Sequence, residues 1–555
     1  MKRLPIGLSD YKKLIEDNYY YVDKTLLIQE LFYKGGIVTL MPRPRRFGKT
    51  LNLSMLKYFF EKTTTSHAYL FEDKKIWQIP EMAKLQGKFP VIFITFKSIK
   101  ESNWQDTYHK IIHLIAYEYR QHSYLLDNDI LDTNEKEFFN KITSLSSTHA
   151  DYQMSLLYLS RFLERYHKAK VIVLIDEYDA PIHMAFVKGY YQEVISFMRG
   201  FLTDVLKDNP SLERSIVTGI LRTAKEGIFS GLNNLKVATV LQQDFANSFG
   251  FTEQEVERLL KDYQLENIHA DFRAWYNGYL IGQTKIYNPW SALNCIDESG
   301  VFRPYWVNTS DNALINTIIA EASTQVKDAC GLLITGNSLP DIIINEGMAL
   351  PGMLNDANSI WTLLLFSGYL TAASSHVEEG LTYVELILPN KELLILFNTL
   401  VDSLFKQSLG NDDFRYLESA LRDADGELFE KLLSKFMIQS MSFHDISDAE
   451  PEKSYHLFAL GLLVLFSKKY AVRSNRESGY GRYDIMLIPQ DKTLPGIIIE
   501  FKKKDLKESM QKCADRALEQ IKSRSYATEL ESRGVKKIAF FGIACHKKNV
   551  LLKQA

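Results

Sequence analysis

The chain has 555 residues, of which 46% are apolar and 12% aromatic, and a formal net charge of −2 at neutral pH. This composition excludes a disordered chain and a uniformly basic nucleic-acid-binding protein, so any contact with DNA must come from a local basic patch. The length predicts about three domains.

The sequence indicates neither a secreted nor a membrane protein. Its four cysteines are too scattered for a zinc cluster or a disulfide framework, and we expect ordinary reduced thiols. The first ten residues lack an apolar signal core, and the apolar run Leu457–Phe466 is too short to span a bilayer. We therefore expect a cytoplasmic protein without a membrane partner.

A candidate phosphate-binding loop follows the first predicted strand. Residues 37–41 are apolar and β-branched, as in a buried strand, and residues 51–60 have a helical pattern. Between them, Gly48 would let backbone amides approach phosphate oxygens, Lys49 would neutralise the β and γ phosphates, and Thr50 would ligate Mg²⁺. We assign ATP binding to the residues of this loop: Arg43, Arg45, Arg46, Phe47, Gly48, Lys49 and Thr50.

The loop departs from the usual pattern at its first glycine, because the G-x-x-x-x-G-K-[ST] motif here begins with Arg43. Two interpretations remain open: Arg43 clamps a phosphate, or the loop has a different shape. A lone Gly-Lys-Thr also occurs in ordinary turns, so the motif needs a partner elsewhere in the chain.

The partner is an apolar run over residues 170–175 that ends in Asp176-Glu-Tyr-Asp179. A continuous apolar run is typical of a central parallel strand, and acids at its carboxyl end face the ligand crevice. We expect Asp176 to hold Mg²⁺ and Glu177 to act as the general base for the attacking water. Taken alone, the same pattern fits a strand that ends in solvated charges.

Three further runs predict strands of the same sheet. Residues 90–96 are expected to separate the loop strand from the acidic strand, and residues 236–241 could add another strand. Residues 215–220 place Thr218 at a strand end, where its hydroxyl could sense the γ phosphate. Arg222 is close enough in sequence to serve as an arginine finger acting on a neighbouring subunit, which leaves a homo-oligomer open.

From about residue 250 the pattern changes to short helices. Thr252-Glu-Gln-Glu255 is a capping box that predicts a helix start. The aromatic, turn-rich segments 275–279, 287–291 and 305–310 favour the core of a lid domain over a base-stacking surface. Residues 340–445 contain no convincing catalytic set, and we expect a helical connector with one strand-like run at 381–388.

The C-terminal part predicts a metal-dependent hydrolase. A predicted hairpin brings Asp484 beside Glu500-Phe-Lys502, and strand alternation puts Glu500 and Lys502 on one face. Two converging carboxylates can hold Mg²⁺ or Mn²⁺, and a neighbouring lysine can orient the attacking water and stabilise the phosphate. The roles are Asp484 and Glu500 as metal ligands and Lys502 as a catalytic residue.

The same triad of residue types also occurs by chance in strands that end in surface charge. Its context favours chemistry, because a helix follows with Ala514, Ala517, Leu518 and Ile521 on one face. Between Lys502 and Arg524 there are eight Lys or Arg against four Asp or Glu. We expect Lys503, Lys504, Lys507 and Lys512 to meet a DNA backbone without sequence preference.

Motifs across the chain resemble one known family. They are Tyr20–Thr25, the Arg-Pro-Arg-Arg-Phe-Gly-Lys-Thr loop, Asp176–Asp179, Phe249–Thr252, Trp275–Tyr279, Asn288–Ser291, Gly368–Leu370 and Pro389–Glu392. The chain resembles the bacterial AAA-ATPase-like family whose members carry a C-terminal nuclease of the PD-(D/E)XK superfamily, over residues 5–310 and again from about 454. Arginine at position 43 is usual in that family.

The resemblance implies roles that the residues alone do not. It implies that Tyr21, Asp23 and Lys24 lie near the nucleotide. It extends a catalytic metal or phosphate role to Gln520 and, with less support, to Glu452 and Tyr526.

These observations predict an α/β protein with a P-loop ATPase core and parallel sheet at 1–248, a helical lid at 249–340, a helical connector at 341–448 and an α/β PD-(D/E)XK-like nuclease domain at 449–555. The expected function is ATP binding and hydrolysis coupled to a Mg²⁺-dependent DNA nuclease. One alternative is a nucleotide-dependent oligomerising switch whose C-terminal domain binds nucleic acid or a partner without cutting. Another is a transposition or defence ATPase that acts on DNA through the lid.

Overall fold

A computed structural model describes residues 1–555 except for a set of short segments. These are residues 128, 221–227, 230–231, 308–314, 316–317, 320–321, 347–349, 351–355, 409–410, 441–454, 456–458, 460–461, 464–465, 467–468, 475–476, 479–480, 506 and 547–548.

A five-stranded parallel sheet forms the centre of the N-terminal part. Its strands are β1 (Val38–Pro42), β2 (Val91–Thr95), β3 (Val171–Asp176), β4 (Leu212–Gly219) and β5 (Leu235–Val237), in the order β2-β3-β4-β1-β5. β1 and β3 are buried along their whole length, as expected for apolar strands covered on both faces.

The nine helices described around this sheet supply its covering layers. They are α1 (Tyr11–Glu16), α2 (Leu27–Lys34), α3 (Lys49–Phe60), α4 (Pro80–Ala83), α5 (Trp104–Gln121), α6 (Thr133–Thr143), α7 (His149–His167), α8 (Ala180–Lys188) and α9 (Tyr191–Leu206). The order confirms the predicted strand, loop and helix over residues 37–60. The strand between β1 and β3 is β4, so the prediction that residues 90–96 separate them is wrong. β2 lies at one edge of the sheet, where it pairs only with β3.

Residues 249–307 form short elements around an aromatic core. They comprise α10 (Glu253–Asp262), α11 (His269–Tyr276), the hairpin strands β6 (Tyr279–Ile281) and β7 (Thr284–Ile286), and α12 (Pro289–Asp297). The predicted capping box is present, with Thr252 and Glu255 bonding each other's backbone amides. Trp275, Tyr276 and Phe302 pack together, which confirms that the aromatic segments form a core.

The segment expected to be a helical connector contains a sheet. After α13 (Thr324–Ile334), the three strands β8 (Leu339–Ile344), β9 (Thr371–Glu378) and β10 (Leu381–Ile387) pair in the order β8-β10-β9, with α14 (Ala357–Ser367) between β8 and β9. Glu379 and Gly380 both have positive φ, 49° and 81°, which is the geometry of a tight hairpin turn. This turn lets the polar run 371–378 pair with β10, whereas the sequence marked only β10 as strand-like.

Three helices then lead to the C-terminal sheet: α15 (Lys391–Ser408), α16 (Asn411–Asp423) and α17 (Gly426–Ser440). The sheet has the order β11-β14-β15-β16-β17, and only the β15–β16 pair is parallel. Its strands are β11 (Tyr470–Ser474), β14 (Ile485–Pro489), β15 (Gly496–Lys503), β16 (Ile538–His546) and β17 (Asn549–Gln554). A small hairpin, β12 (Glu477–Ser478) and β13 (Gly481–Arg482), precedes β14, and α18 (Met510–Ser523) and α19 (Thr528–Ser532) follow β15.

The chain divides into two compact units. The N-terminal unit is Met1–Leu314 with Asp341–Glu392, and the C-terminal unit is Ile315–Pro340 with Leu393–Ala555. The break between Pro340 and Asp341 coincides with the predicted boundary at 340, whereas the other breaks follow Leu314 and Glu392 rather than residues 248 and 448. The four cysteines are buried as thiols rather than disulfides. Among the helices of the described residues, none has the length and apolar character needed to cross a membrane.

Candidate functional site

The phosphate loop lies between β1 and α3. Gly48 has φ 83°, and a side chain there would meet nothing within 4 Å, so the space above it is open. Helix α3 begins at Lys49, and its first amides are therefore available to an anion. The loop geometry fits phosphate binding.

Thr50 and Asp176 form the centre of the site. The Thr50 hydroxyl donates to Asp176 Oδ2 at 2.8 Å, and the Thr218 hydroxyl donates to Oδ1 at 2.8 Å. Thr95 is a third donor, at 3.2 Å from Oδ2. Because β2, β3 and β4 end side by side, three strands and the start of α3 deliver these groups to one carboxylate. This oxygen-rich set could hold Mg²⁺ through Thr50 and Asp176.

A cavity of about 440 Å³ opens beside the loop, a size common for small-molecule sites. Of the residues predicted to bind nucleotide, Arg45, Arg46, Phe47, Gly48, Lys49 and Thr50 line it, together with Glu177. Asp176 and Thr218 are buried beneath it. The Thr218 hydroxyl donates a hydrogen bond to Asp176 and does not line the cavity. Arg222 lies outside the described residues.

Lys49 and Glu177 are two of the charged residues that line this cavity. The Lys49 ammonium is buried and donates to the carbonyls of Arg43 and Pro44, each at 3.0 Å. Burial lowers the pKa of Lys49, and the charge of Glu177 opposes that shift. Burial raises the pKa of Glu177, against the charge of Lys49. Glu177 also has φ 49°, a conformation that is uncommon outside glycine and turns the side chain at the end of β3.

Arg43 does not reach the cavity, which corrects its assignment as a nucleotide-binding residue. Its guanidinium is fully buried and donates to the carbonyls of Pro42 at 2.9 Å, Ala238 at 2.5 Å and Asp244 at 3.4 Å. It also lies over the ring of Phe249 at 5.0 Å. The arginine therefore ties the start of the loop to the segment after β5. Of the two interpretations left open by the sequence, the structure favours the differently shaped loop.

The N-terminal segment closes one side of the cavity. Tyr21 and Lys24 line it, whereas Asp23 accepts the amide and hydroxyl of Thr25 instead. The Lys24 ammonium donates to Glu255 at 2.7 Å and to the carbonyl of Asn247 at 2.8 Å. Glu255, the capping-box residue, therefore also anchors this segment.

The sequence did not single out several residues that line the cavity. Lys97 and Lys100 follow β2, and Asp179 and His183 lie at the start of α8. Asp179 and His183 are four residues apart, which places them on one helix face. That spacing was the available signal, and it went unused because Asp179 carried no assigned role.

The predicted nuclease residues come together at the end of β15. Asp484 Oδ2 accepts the amide of Phe501 at 2.8 Å, and the Asp484 amide donates to Glu500 Oε2 at 3.4 Å. The Lys502 ammonium is 3.4 Å from Glu500 Oε1, while Phe501 is buried on the opposite face. The geometry therefore brings Asp484, Glu500 and Lys502 into one site.

Helix α18 adds a fourth member to this group. The Gln520 side-chain amide donates to Glu500 Oε1, and it lies 3.5 Å from the Tyr526 hydroxyl. Tyr526 is buried in the apolar core, and its hydroxyl contacts the Gln520 amide from there. Glu452 lies outside the described residues.

The electrostatics of this group suit a divalent cation. Burial and the nearby charge of Asp484 raise the pKa of Glu500 to about 8, against the effect of Lys502. Two carboxylates that repel each other in a buried place are stabilised by a doubly charged ion, and both offer the oxygen ligands that Mg²⁺ prefers. The residues present therefore fit a metal held by Asp484 and Glu500.

The predicted DNA-binding lysines lie next to this site in sequence. Lys503, Lys507 and Lys512 are exposed and Lys504 is half-buried. Lys503 follows Lys502 on the strand and points away from the carboxylates by alternation.

Comparison with known proteins matches one protein family to the N-terminal part of the chain and another to the C-terminal part. Residues 5–229 match the AAA-ATPase-like family, described as a predicted AAA-ATPase, and residues 450–555 match the PD-(D/E)XK nuclease superfamily. A protein of Azotobacter chroococcum mcd 1, described as an uncharacterized protein in the vnfD 5' region, is 26% identical over 96% of this chain and 94% of its own length. The chain thus carries an N-terminal AAA-ATPase-like domain and a C-terminal domain of the PD-(D/E)XK nuclease superfamily. Such domains use nucleotides and divalent metals in general.

Proposed function

We propose that this protein, which joins an AAA-ATPase-like domain to a PD-(D/E)XK nuclease domain, is an ATP-hydrolysing, metal-dependent DNA nuclease whose cutting depends on its nucleotide state. The observation that carries the proposal is the presence of two groups of site residues in one chain. Thr50 and Glu177 line one cavity, with Asp176 bonded to Thr50, and Asp484, Glu500 and Lys502 meet at one strand end.

In the first site the protein binds and orients a triphosphate. The α3 amides and Lys49 would hold the phosphates, and Thr50 and Asp176 would hold Mg²⁺, which would neutralise charge on the transferred phosphate. Glu177 is placed at the cavity wall to accept a proton from the attacking water. Its raised pKa fits a base that must take up this proton.

In the second site Asp484 and Glu500 would hold a divalent cation, which polarises the scissile phosphate and acidifies a bound water. Gln520 keeps Glu500 in place through its amide. Lys502 stands beside the carboxylates, where its ammonium can stabilise the charge that develops on the phosphate. The basic stretch 502–524 supplies attraction to the DNA backbone.

Lys502 and Lys503 offer a matched test of this assignment. Lys502→Ala is expected to lower the cleavage rate at saturating DNA about 100-fold, since a charge at the reacting phosphate is lost. Lys503→Ala is expected to weaken DNA binding and its salt dependence without changing that rate. Gel assays of plasmid with Mn²⁺ would measure both, and equal effects of the two variants would contradict the assigned role of Lys502.

A separate assay tests the nucleotide site. Lys49→Ala is expected to abolish ATP binding, while Glu177→Gln is expected to bind ATP and turn it over at least about 100-fold more slowly. Normal ATP turnover in Glu177→Gln would contradict the assignment of Glu177 as the general base. ATP turnover without any DNA cleavage would instead favour the nucleotide-dependent switch.

A further inference from the structure

Histidine 183 is an unexplained polar group in the wall of the nucleotide cavity. It lies in the first turns of α8, is only 9% exposed and lines the cavity. Within the part of the chain that the structure describes, its Nε2 has no hydrogen-bond partner, and Asp179 Oδ2 lies 3.7 Å away. A buried nitrogen without a partner costs about 1–3 kcal/mol, so such atoms usually face a ligand or water.

Asp179, the acid beside this histidine, is held by a hydrogen bond to the backbone. Its Oδ2 accepts the amide of Ile220 at 2.7 Å, just beyond the end of β4. Asp179 is itself buried. The carboxylate is therefore already engaged, and the imidazole has room to contact something else in the cavity.

The part of the cavity around His183 suits a phosphate group rather than the nucleobase of a nucleotide. The cavity lining includes an apolar set with Ile6, Leu8 and Phe251, and a charged set with Lys97 and Glu177. His183 belongs with the charged set, because its electrostatic neighbours are Asp179 and Arg45, a residue of the phosphate loop. Helix α8 also begins only three residues after Glu177, the candidate base.

We propose that the His183 imidazole contacts the terminal phosphate of a bound nucleoside triphosphate and so distinguishes it from a diphosphate. This inference rests on the proposed function. Lys49 and the loop amides reach the phosphates from β1, and Glu177 approaches the attacking water from β3. His183 supplies the third side. Burial lowers the pKa of His183, which favours the neutral imidazole, and a neutral ring offers a single N–H.

The test compares affinities of the full-length chain for a non-hydrolysable ATP analogue and for ADP, both with Mg²⁺, by calorimetry. His183→Leu fills the space of the ring but cannot donate. We expect it to weaken triphosphate binding about tenfold and to leave ADP binding within about twofold. His183→Gln returns a donor and should recover part of the difference. Phe186→Leu, on the same helix but away from the cavity lining, should leave the ratio of the two affinities unchanged.

The outcomes separate the two proposals. If the wild type binds neither nucleotide, the proposed function fails. If the wild type binds both but His183→Leu weakens both equally or neither, only the role of His183 is overturned, because a merely structural residue does not change the triphosphate-to-diphosphate ratio. If His183→Leu does not show the thermal unfolding transition of the wild type, the same ratio of triphosphate to diphosphate affinity is measured with His183→Ala instead.

Discussion

At the scale of single residues, two neighbouring arginines of the phosphate loop have different surroundings. The Arg43 guanidinium is buried among carbonyl groups, whereas Arg45 borders the cavity. The sequence could place both in the loop but could not separate them. Burial of Arg43 depends on carbonyls nearly 200 positions further along the chain, and no local pattern records them.

Arginine 43 is therefore expected to stabilise the fold rather than to bind nucleotide. Arg43→Ala leaves buried carbonyls without donors and should lower the free energy of unfolding by about 3 kcal/mol. Arg45→Ala should weaken nucleotide binding with a much smaller loss of stability. Denaturant unfolding and nucleotide titration of both variants measure this, and a stable Arg43→Ala protein with lost nucleotide affinity would restore the phosphate-clamp interpretation.

Glutamate 392 predicts a pH-dependent contribution to stability. Burial raises the pKa of its carboxyl from 4.5 to about 7, although Ser291 at 2.8 Å and the amide of Trp306 at 2.6 Å donate to it. The folded state holds the proton more tightly than the unfolded state, so this contribution is complete below pH 4.5 and is lost as the pH rises through about 7.

We therefore expect the wild type to lose stability between pH 5 and pH 8 relative to Glu392→Gln, by up to about 3 kcal/mol. Glutamine does not titrate and can still accept the Trp306 amide. Apparent unfolding midpoints of both proteins across this range would show the difference, with exposed Glu379→Gln as the control. Parallel pH profiles would contradict the raised pKa.

At the scale of elements, periodicity predicted those strands and helices whose burial follows a simple pattern. β1 and β3 lie close to their predicted bounds, and β15 and α18 contain the residues expected in a strand and a helix, because continuous apolar strands and amphipathic helices carry strong local signals. β9 was missed because six of its eight residues are exposed and its pairing depends on a turn. The predicted position of β2 in the sheet was wrong, because the order of strands depends on the crossover connections and is not encoded in any single strand.

Glycine 542 decides how closely α18 packs on the C-terminal sheet. It pairs with Glu500 in the β15–β16 register, and a Cβ there would lie 2.6 Å from Leu518 N and 2.7 Å from Ala514 O. Both are backbone atoms of α18, so an added methyl group must push the helix away. The same helix carries Gln520, which bonds Glu500.

Gly542→Ala is therefore expected to lower stability by about 1–3 kcal/mol and to reduce DNA cleavage beyond the loss of folded protein. The activity should be normalised to the folded fraction measured by circular dichroism. Exposed Lys536→Ala serves as the control variant. Full activity in a stable Gly542→Ala protein would show that the position of Gln520 does not matter for cleavage.

At the scale of the whole molecule, the sequence located both candidate sites, yet it did not define the compact units. The site residues lie at strand ends marked by apolar runs followed by acids, and these patterns are local. The division into units depends on which segments pack together, so residues 341–392 join the N-terminal unit despite their distance in sequence. The sequence also gives no signal for His183, because its burial, and the lack of a partner for its Nε2 among the described residues, depend on the three-dimensional fold.

The central claim is that nucleotide state controls a metal-dependent nuclease in this chain. It is tested most directly by the initial rate of plasmid cleavage in Mg²⁺ or Mn²⁺, measured with and without ATP for the wild type, Lys49→Ala and Glu500→Ala. We expect ATP to change the wild-type rate several-fold, Lys49→Ala to cut at one rate regardless of ATP, and Glu500→Ala not to cut. Cleavage that survives Glu500→Ala, or a wild-type rate indifferent to ATP, would contradict it.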